Sequence, residues 1–182
     1  MMSFKSTGVY LKAFAIFCFA LLMAIGCSET PLGVSSDGGE PQVLMRSADF
    51  VSTVSLSPAQ LYVEQVISAE EGGQISLFDV VLDIPPGAID NDTLFSIGIP
   101  DINVFYNEFG TSGLVFNRPV RVTMSYRSAD LSGVDETTIR IGWYDPNSGR
   151  FVDVVCDVDF ENKVVTGELN HFSAYALISD EQ

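Results

Sequence analysis

The chain has 182 residues, with 24 acidic side chains against nine basic ones and a formal charge of −15. Such an excess of negative charge repels phosphate backbones and anionic bilayers, so nucleic acid is excluded as an expected partner and a basic patch as a route to a membrane. One histidine and three cysteines supply no clustered ligand set for zinc, and no cofactor is expected.

The first element in chain order is an export signal. Lys5 and Lys12 lead into AFAIFCFALLMAIGC, an apolar run that closes on small residues, which is the layout of a secretory signal over residues 1–26 and not of a membrane span. Ala24-Ile25-Gly26 before Cys27 resembles the bacterial lipobox. That resemblance implies a thiol joined to diacylglycerol and left as the first residue of the mature chain. Ala24 and Gly26 also suit an ordinary signal peptidase, which is the alternative. Ser28, where an aspartate would favour the inner membrane, implies the outer membrane or cell surface as destination. Removal of the signal leaves seven basic residues against all 24 acids, a formal charge of −17.

Residues 27–48 contain SETPLGVSSDGGEPQVLMRS, rich in Ser, Gly and Pro, and read as a flexible tether. Residues 49–182 suffice for one core and not two. SPAQLYVEQVISAEE is ambiguous, because Leu61, Val63 and Val66 fit a helical face while LYVEQVI also reads as a strand. Further strands are expected in QISLFDVVLDI, TLFSIGI, INVFY, TIRIGWY, FVDVVCDV, KVVTGEL and HFSAYALI. The clearest is Val120–Tyr126, where Val120, Val122, Met124 and Tyr126 alternate with Arg121, Thr123 and Ser125. Asp145-Pro146-Asn147-Ser148-Gly149 and Glu161-Asn162-Lys163 are hairpin turns, and Phe105–Gly113 and Ala129–Glu136 read as loops. Ile84-Pro85-Pro86-Gly87-Ala88-Ile89 is a corner: the prolines remove ladder donors, Gly87 permits a left-handed bend, and no side chain in it can do chemistry. Short alternating strands without long helices predict an all-β fold, an antiparallel β-sandwich.

Five motifs in order then carry a family likeness. GGQISL at Gly72, VLDIPPGAI at Val81, LVFNRPV at Leu114, WYDP at Trp143 and HFSAYAL at His171 resemble the ZU-five domain of zonula-occludens proteins, netrin receptors and ankyrins, together with its bacterial relatives. The likeness runs from about Gly72 to Ile178, and residues 49–71 lie outside it, as an edge strand or more tether. It implies a β-sandwich used mostly for scaffolding and protein–protein contact.

It also raises one chemical question. Some eukaryotic members cut themselves between Phe and Ser of an HFS sequence, so the resemblance would make Ser173 the nucleophile, His171 the general base and Phe172 the donor of the attacked carbonyl. Proximity is built in, but a regular strand would relax the peptide and place His171 and Ser173 on one face with Phe172 opposite. The packing role is the favoured reading. Cys156, left without a disulfide partner, is expected to be an inert thiol. Asp157, Asp159, Glu161 and Glu168 mimic the spacing of a calcium loop, with Asn162 where glycine is required, and Asp90-Asn91-Asp92 and Asp79 with Asp83 are similar weak clusters. Trp143, Tyr144, Tyr106 and Tyr126 are candidates for a sugar platform, of which alternation leaves only one or two outside. The expected function is a non-catalytic, lipid-anchored scaffold or protein-interaction module of the envelope. The alternatives are a carbohydrate- or calcium-dependent adhesion module and a self-cleaving domain.

Overall fold

A computed structural model describes residues 40–54 and 58–180, so the export signal, Cys27 and most of the tether lie outside the described residues. The strands are β1 (Gln42–Val43), β2 (Tyr62–Ile67), β3 (Gly73–Leu77), β4 (Val80–Ile84), β5 (Thr93–Gly98), β6 (Tyr106–Gly110), β7 (Val115–Ser125), β8 (Arg140–Asp145), β9 (Arg150–Asp153), β10 (Cys156–Asp159), β11 (Val164–His171) and β12 (Ala174–Ser179). One helix, α1 (Ala48–Thr53), follows β1, and single 3-10 turns cover Pro58–Leu61 and Glu136–Thr138.

The strands form two antiparallel sheets. The first runs β2-β5-β6-β12-β8-β9, with β1 also paired to β12, and the second runs β10-β11-β7-β4-β3. Val120, Val122 and Met124 of β7 are buried while Arg121 is exposed, as the alternation of its sequence requires. Leu82, Val122 and Val165 of the second sheet share one core with Phe95, Ile97, Ile141 and Leu177 of the first. The chain is therefore an all-β sandwich of two antiparallel sheets.

Several sequence boundaries move, each for a local reason. QISLFDVVLDI is not one strand but the β3–β4 hairpin, turned by Phe78 at φ 51° and Asp79. FVDVVCDV divides between the sheets, β9 in the first and β10 in the second, and Val154 N–H bonds Ile141 O at 2.9 Å on the way. Of INVFY only Tyr106 is strand, because the Asp101 carboxylate takes the Asn103 N–H at 2.9 Å and holds a turn. Conversely, the expected loop Phe105–Gly113 is mostly β6. The ambiguous segment resolves into a 3-10 turn and the edge strand β2.

Among the described residues, packing already includes Gln42, ahead of Asp49. Gln42 pairs with Ser179 and Val43 with Ile178, and Leu44 is buried. Helix α1 starts where the Ser47 side chain accepts the Phe50 N–H. A two-residue strand and a six-residue helix are too short to show a period, which is why the tether reading overran them.

Arg46 fixes this entry segment. It is only 4% exposed, and its guanidinium makes a forked pair with Asp79, Nη2 to Oδ2 at 2.8 Å and to Oδ1 at 3.0 Å. Nη1 donates to the carbonyls of Ile102 and Val104, and the Phe105 ring lies 4.3 Å from the guanidinium carbon. One side chain thus joins the entry segment, the β3–β4 turn of the second sheet and the strand lead-in of the first. Burial pushes the Asp79 carboxyl above its ordinary value, with the Arg46 charge and hydrogen bonds opposing.

The proline corner is built as expected. Gly87 adopts φ 74° and its N–H bonds Ala69 O at 2.9 Å, while Ile84, Ala88 and Ile89 stay in the core. Gly72, at φ 72°, packs beneath it so closely that a β-carbon would stand 2.3 Å from the Ile84 carbonyl oxygen.

Two outcomes follow in urea unfolding. Arg46→Met leaves a buried carboxylate unpaired and should cost about 3–5 kcal/mol, whereas Arg46→Met with Asp79→Leu should recover most of the loss. Gly87→Ala meets no atom within 4 Å and should cost about 1–2 kcal/mol for its left-handed backbone. Gly72→Ala adds a clash with backbone to the same strain and should cost clearly more.

Candidate functional site

The HFS segment is where the chain leaves one sheet for the other. His171 ends β11 in the second sheet, opposite Val115, and Ala174 opens β12 in the first, opposite Glu108. Between them both backbone groups of Phe172 and the carbonyl of Ser173 are held. Phe172 N–H bonds Leu114 O at 2.9 Å, Gly113 N–H bonds Phe172 O at 3.0 Å, and Phe109 N–H bonds Ser173 O at 2.9 Å. Phe172 is 0% exposed, and its ring meets Phe95 and Phe116 edge to face at 4.8 and 4.7 Å with Phe109 at 5.8 Å.

His171 and Ser173 therefore open onto different concavities. His171 lines a cleft of about 590 Å³ with Trp143, Val155, Cys156 and Glu168, between the open edges of the two sheets. Ser173 lines a trough of about 400 Å³ with Tyr62, Glu108 and Tyr144. No hydrogen bond links Ser173 Oγ to His171. The arrangement contains a nucleophile, a base and an attackable carbonyl, with the Gly113 N–H as that carbonyl's backbone donor, but not the base–nucleophile contact on which acyl transfer begins.

Around His171 the polar groups are unusual. Its ring stands edge to face with Trp143 at 4.9 Å, and the Tyr175 hydroxyl donates to the His171 carbonyl at 2.9 Å. Burial drives the Tyr175 phenol far above its ordinary value, which keeps the hydroxyl a donor. Asn107 and Trp143 flank Tyr175 in register. Asn107 Oδ1, Trp143 Nε1 and His171 Nε2 are buried without a hydrogen-bond partner among the described residues. Because all three atoms are closed off from solvent, a molecule in the neighbouring cleft would meet Arg121, Val155, Glu168 and Asn170 instead. Cys156 is half-buried on the edge strand β10 and lines this cleft with Arg121 and Asp157.

The carboxylates considered for calcium are dispersed. Asp79 is taken by Arg46, Asp83 accepts from Gln74, Asp90 from Asn117, Asp92 from the Ala69 N–H, and Asp159 from both nitrogens of Asn162. Among the described residues no three His, Cys, Asp or Glu side chains converge as a metal set.

The aromatic candidates divide by face. Tyr126 is in the core and Trp143 turns inward onto His171. Tyr106 and Tyr144 lie on the outer face of the first sheet, where burial, then Glu108 and Tyr144, hold the Tyr106 phenol above its ordinary value. Tyr62, 50% exposed on β2, joins them on that face. Its place was hidden by the helix–strand ambiguity of its segment, although strand alternation alone sets Tyr62 opposite Val63 and Ile67.

No protein-family model matches the chain, and no curated protein matches it.

Phe172→Ala should cost about 3–5 kcal/mol in chemical unfolding, since it empties the centre of an aromatic cluster. Ser173→Ala, which removes only a hydroxyl making no hydrogen bond among the described residues, should shift the midpoint little.

Proposed function

We propose that this chain is a non-catalytic, lipid-anchored protein of the bacterial outer membrane or cell surface, whose ZU-five-like sandwich acts as a scaffold or protein-interaction module. The observation that carries the reading is the burial of Phe172 between base and nucleophile, which gives the HFS segment a packing role sufficient to explain it. The order of the five motifs supports the family likeness. Three of them meet in space: Gly72 lies under the proline corner, and Ala88 O takes the Asn117 N–H at 2.9 Å.

The anchor rests on Cys27 and the residues before it. Only residues 28–41 separate Cys27 from β1. The lipid supplies residence, and the Arg46 pair holds the entry segment on the protein side. A mature charge of −17 keeps the domain from lying flat on an anionic surface.

Intact-mass measurement of the mature protein should find a diacylglyceryl thioether and acylation at Cys27, with residues 27–182 in one piece after prolonged incubation at neutral pH. Cys27→Ser should move the protein from the membrane fraction to the soluble one. An unmodified Cys27 would overturn the anchor, and a released fragment beginning at Ser173 would overturn the non-catalytic reading.

A further inference from the structure

The outer face of the first sheet carries a trough whose chemistry is unlike the rest of the surface. Tyr62 pairs with Gly98, Gly98 with Glu108 and Glu108 with Ala174. The pairing of Tyr175 with Trp143 sets Ala174 beside Tyr144. These five residues form one row across the sheet, and at the usual strand spacing the two tyrosine backbones stand roughly 19 Å apart. Gly98, Gly110 and Ala174 keep the floor between them low, and the Glu108 side chain stands among them. A β-carbon at Gly110 would stand 2.3 Å from Ser96 Oγ and displace that hydroxyl. The Tyr62 ring leans over Gly98, its Cδ2 3.6 Å from where a β-carbon would be, and Tyr144 with Pro146 closes the other side.

The polar groups of the trough are free of one another. Ser96, Ser112 and Ser173 hydroxyls and the Glu108 carboxylate make no hydrogen bond or ion pair among the described residues. Two aromatic rings at the ends, hydroxyls and one carboxylate between them, and no cation call for a ligand with apolar faces and many hydroxyl groups. An anionic ligand is disfavoured by Glu108 and by the charge of the whole domain. A peptide strand finds no free ladder here, because the floor is the face of paired strands and not an edge. A wholly apolar ligand would strip water from three hydroxyls and a carboxylate without replacing it.

We propose that this trough binds a neutral oligosaccharide, its sugar rings lying on Tyr62 and Tyr144 and its hydroxyls bonding Glu108 and the serines. Such binding is independent of the lipid anchor and of any protein partner. It would make the domain an adhesion module that needs no metal.

The test is affinity electrophoresis of the full chain, purified in a zwitterionic detergent free of sugar groups, through gels holding a soluble β-glucan, an α-glucan, a xyloglucan, a galactomannan or alginate. Retardation is expected with at least one neutral polysaccharide and not with anionic alginate. Tyr62→Ala and Tyr144→Ala should each weaken it about tenfold, the worth of one aromatic contact. Ala174→Gln, which fills the floor while leaving both rings, should abolish it, and Val155→Ser in the other cleft should leave it unchanged. Thermal unfolding of each variant establishes that it is folded, and Ala174→Gln carries the test if a tyrosine variant is not. Absence of retardation with every neutral polysaccharide, equal retention by alginate, or retention untouched by the trough variants would each overturn the proposal. Loss of the anchor in Cys27→Ser with retained retardation separates this inference from the previous one.

Discussion

The burial of one ring, Phe172, organises the molecule. A β-sandwich must pass its chain between layers, and each passage brings polar backbone towards an apolar core. Here the passage is made safe by giving every backbone group of Phe172 a partner in the strand lead-ins at Gly113 and Leu114, while the side chain fills the space between the sheets. The same placement sends His171 to one side and Ser173 to the other. Packing and reactivity are therefore competing uses of one tripeptide, and the observed contacts belong to packing.

A second constraint acts at the entry to the domain. All three nitrogens of the Arg46 guanidinium are engaged: its donors meet Asp79, Ile102 and Val104, and its flat face meets Phe105. A buried charge held so completely is weak evidence for stability but good evidence for a defined geometry, because few alternative arrangements satisfy all of those groups. It fixes the entry segment over the β3–β4 turn of the second sheet.

Much of the sandwich was legible because its strands are half-buried and alternate. Val120–Met124 and the Pro85-Pro86-Gly87 corner could be placed from side-chain period and backbone chemistry alone. What escaped was short or discontinuous. The Phe78-Asp79 turn has no glycine or asparagine signal, since it is held by tertiary bonds to Arg46 and to the Ser125 N–H. The sheet changes at Val154 and at Phe172 fall inside FVDVVCDV and HFSAYALI, which contain no proline or glycine to mark them. For the candidate sites, sequence named Tyr144 and Tyr106 but could not choose the inward residue of the Trp143-Tyr144 pair, and Tyr62 stood in a segment readable two ways. The trough exists only through cross-strand register, which no local pattern encodes.

The pairing of β1 with β12 has a mechanical meaning. Gln42 opposite Ser179 brings the incoming and outgoing ends of the domain side by side at one corner. Tension between the chain ahead of Gln42 and the body of the protein would open those rungs in succession, like a zip, each yielding under a small force. At Arg46 the geometry changes, because the fork, two carbonyls and a ring must be released together. The first few residues would thus behave as an extensible lead, and the guanidinium as the stop that shields the sandwich from shear.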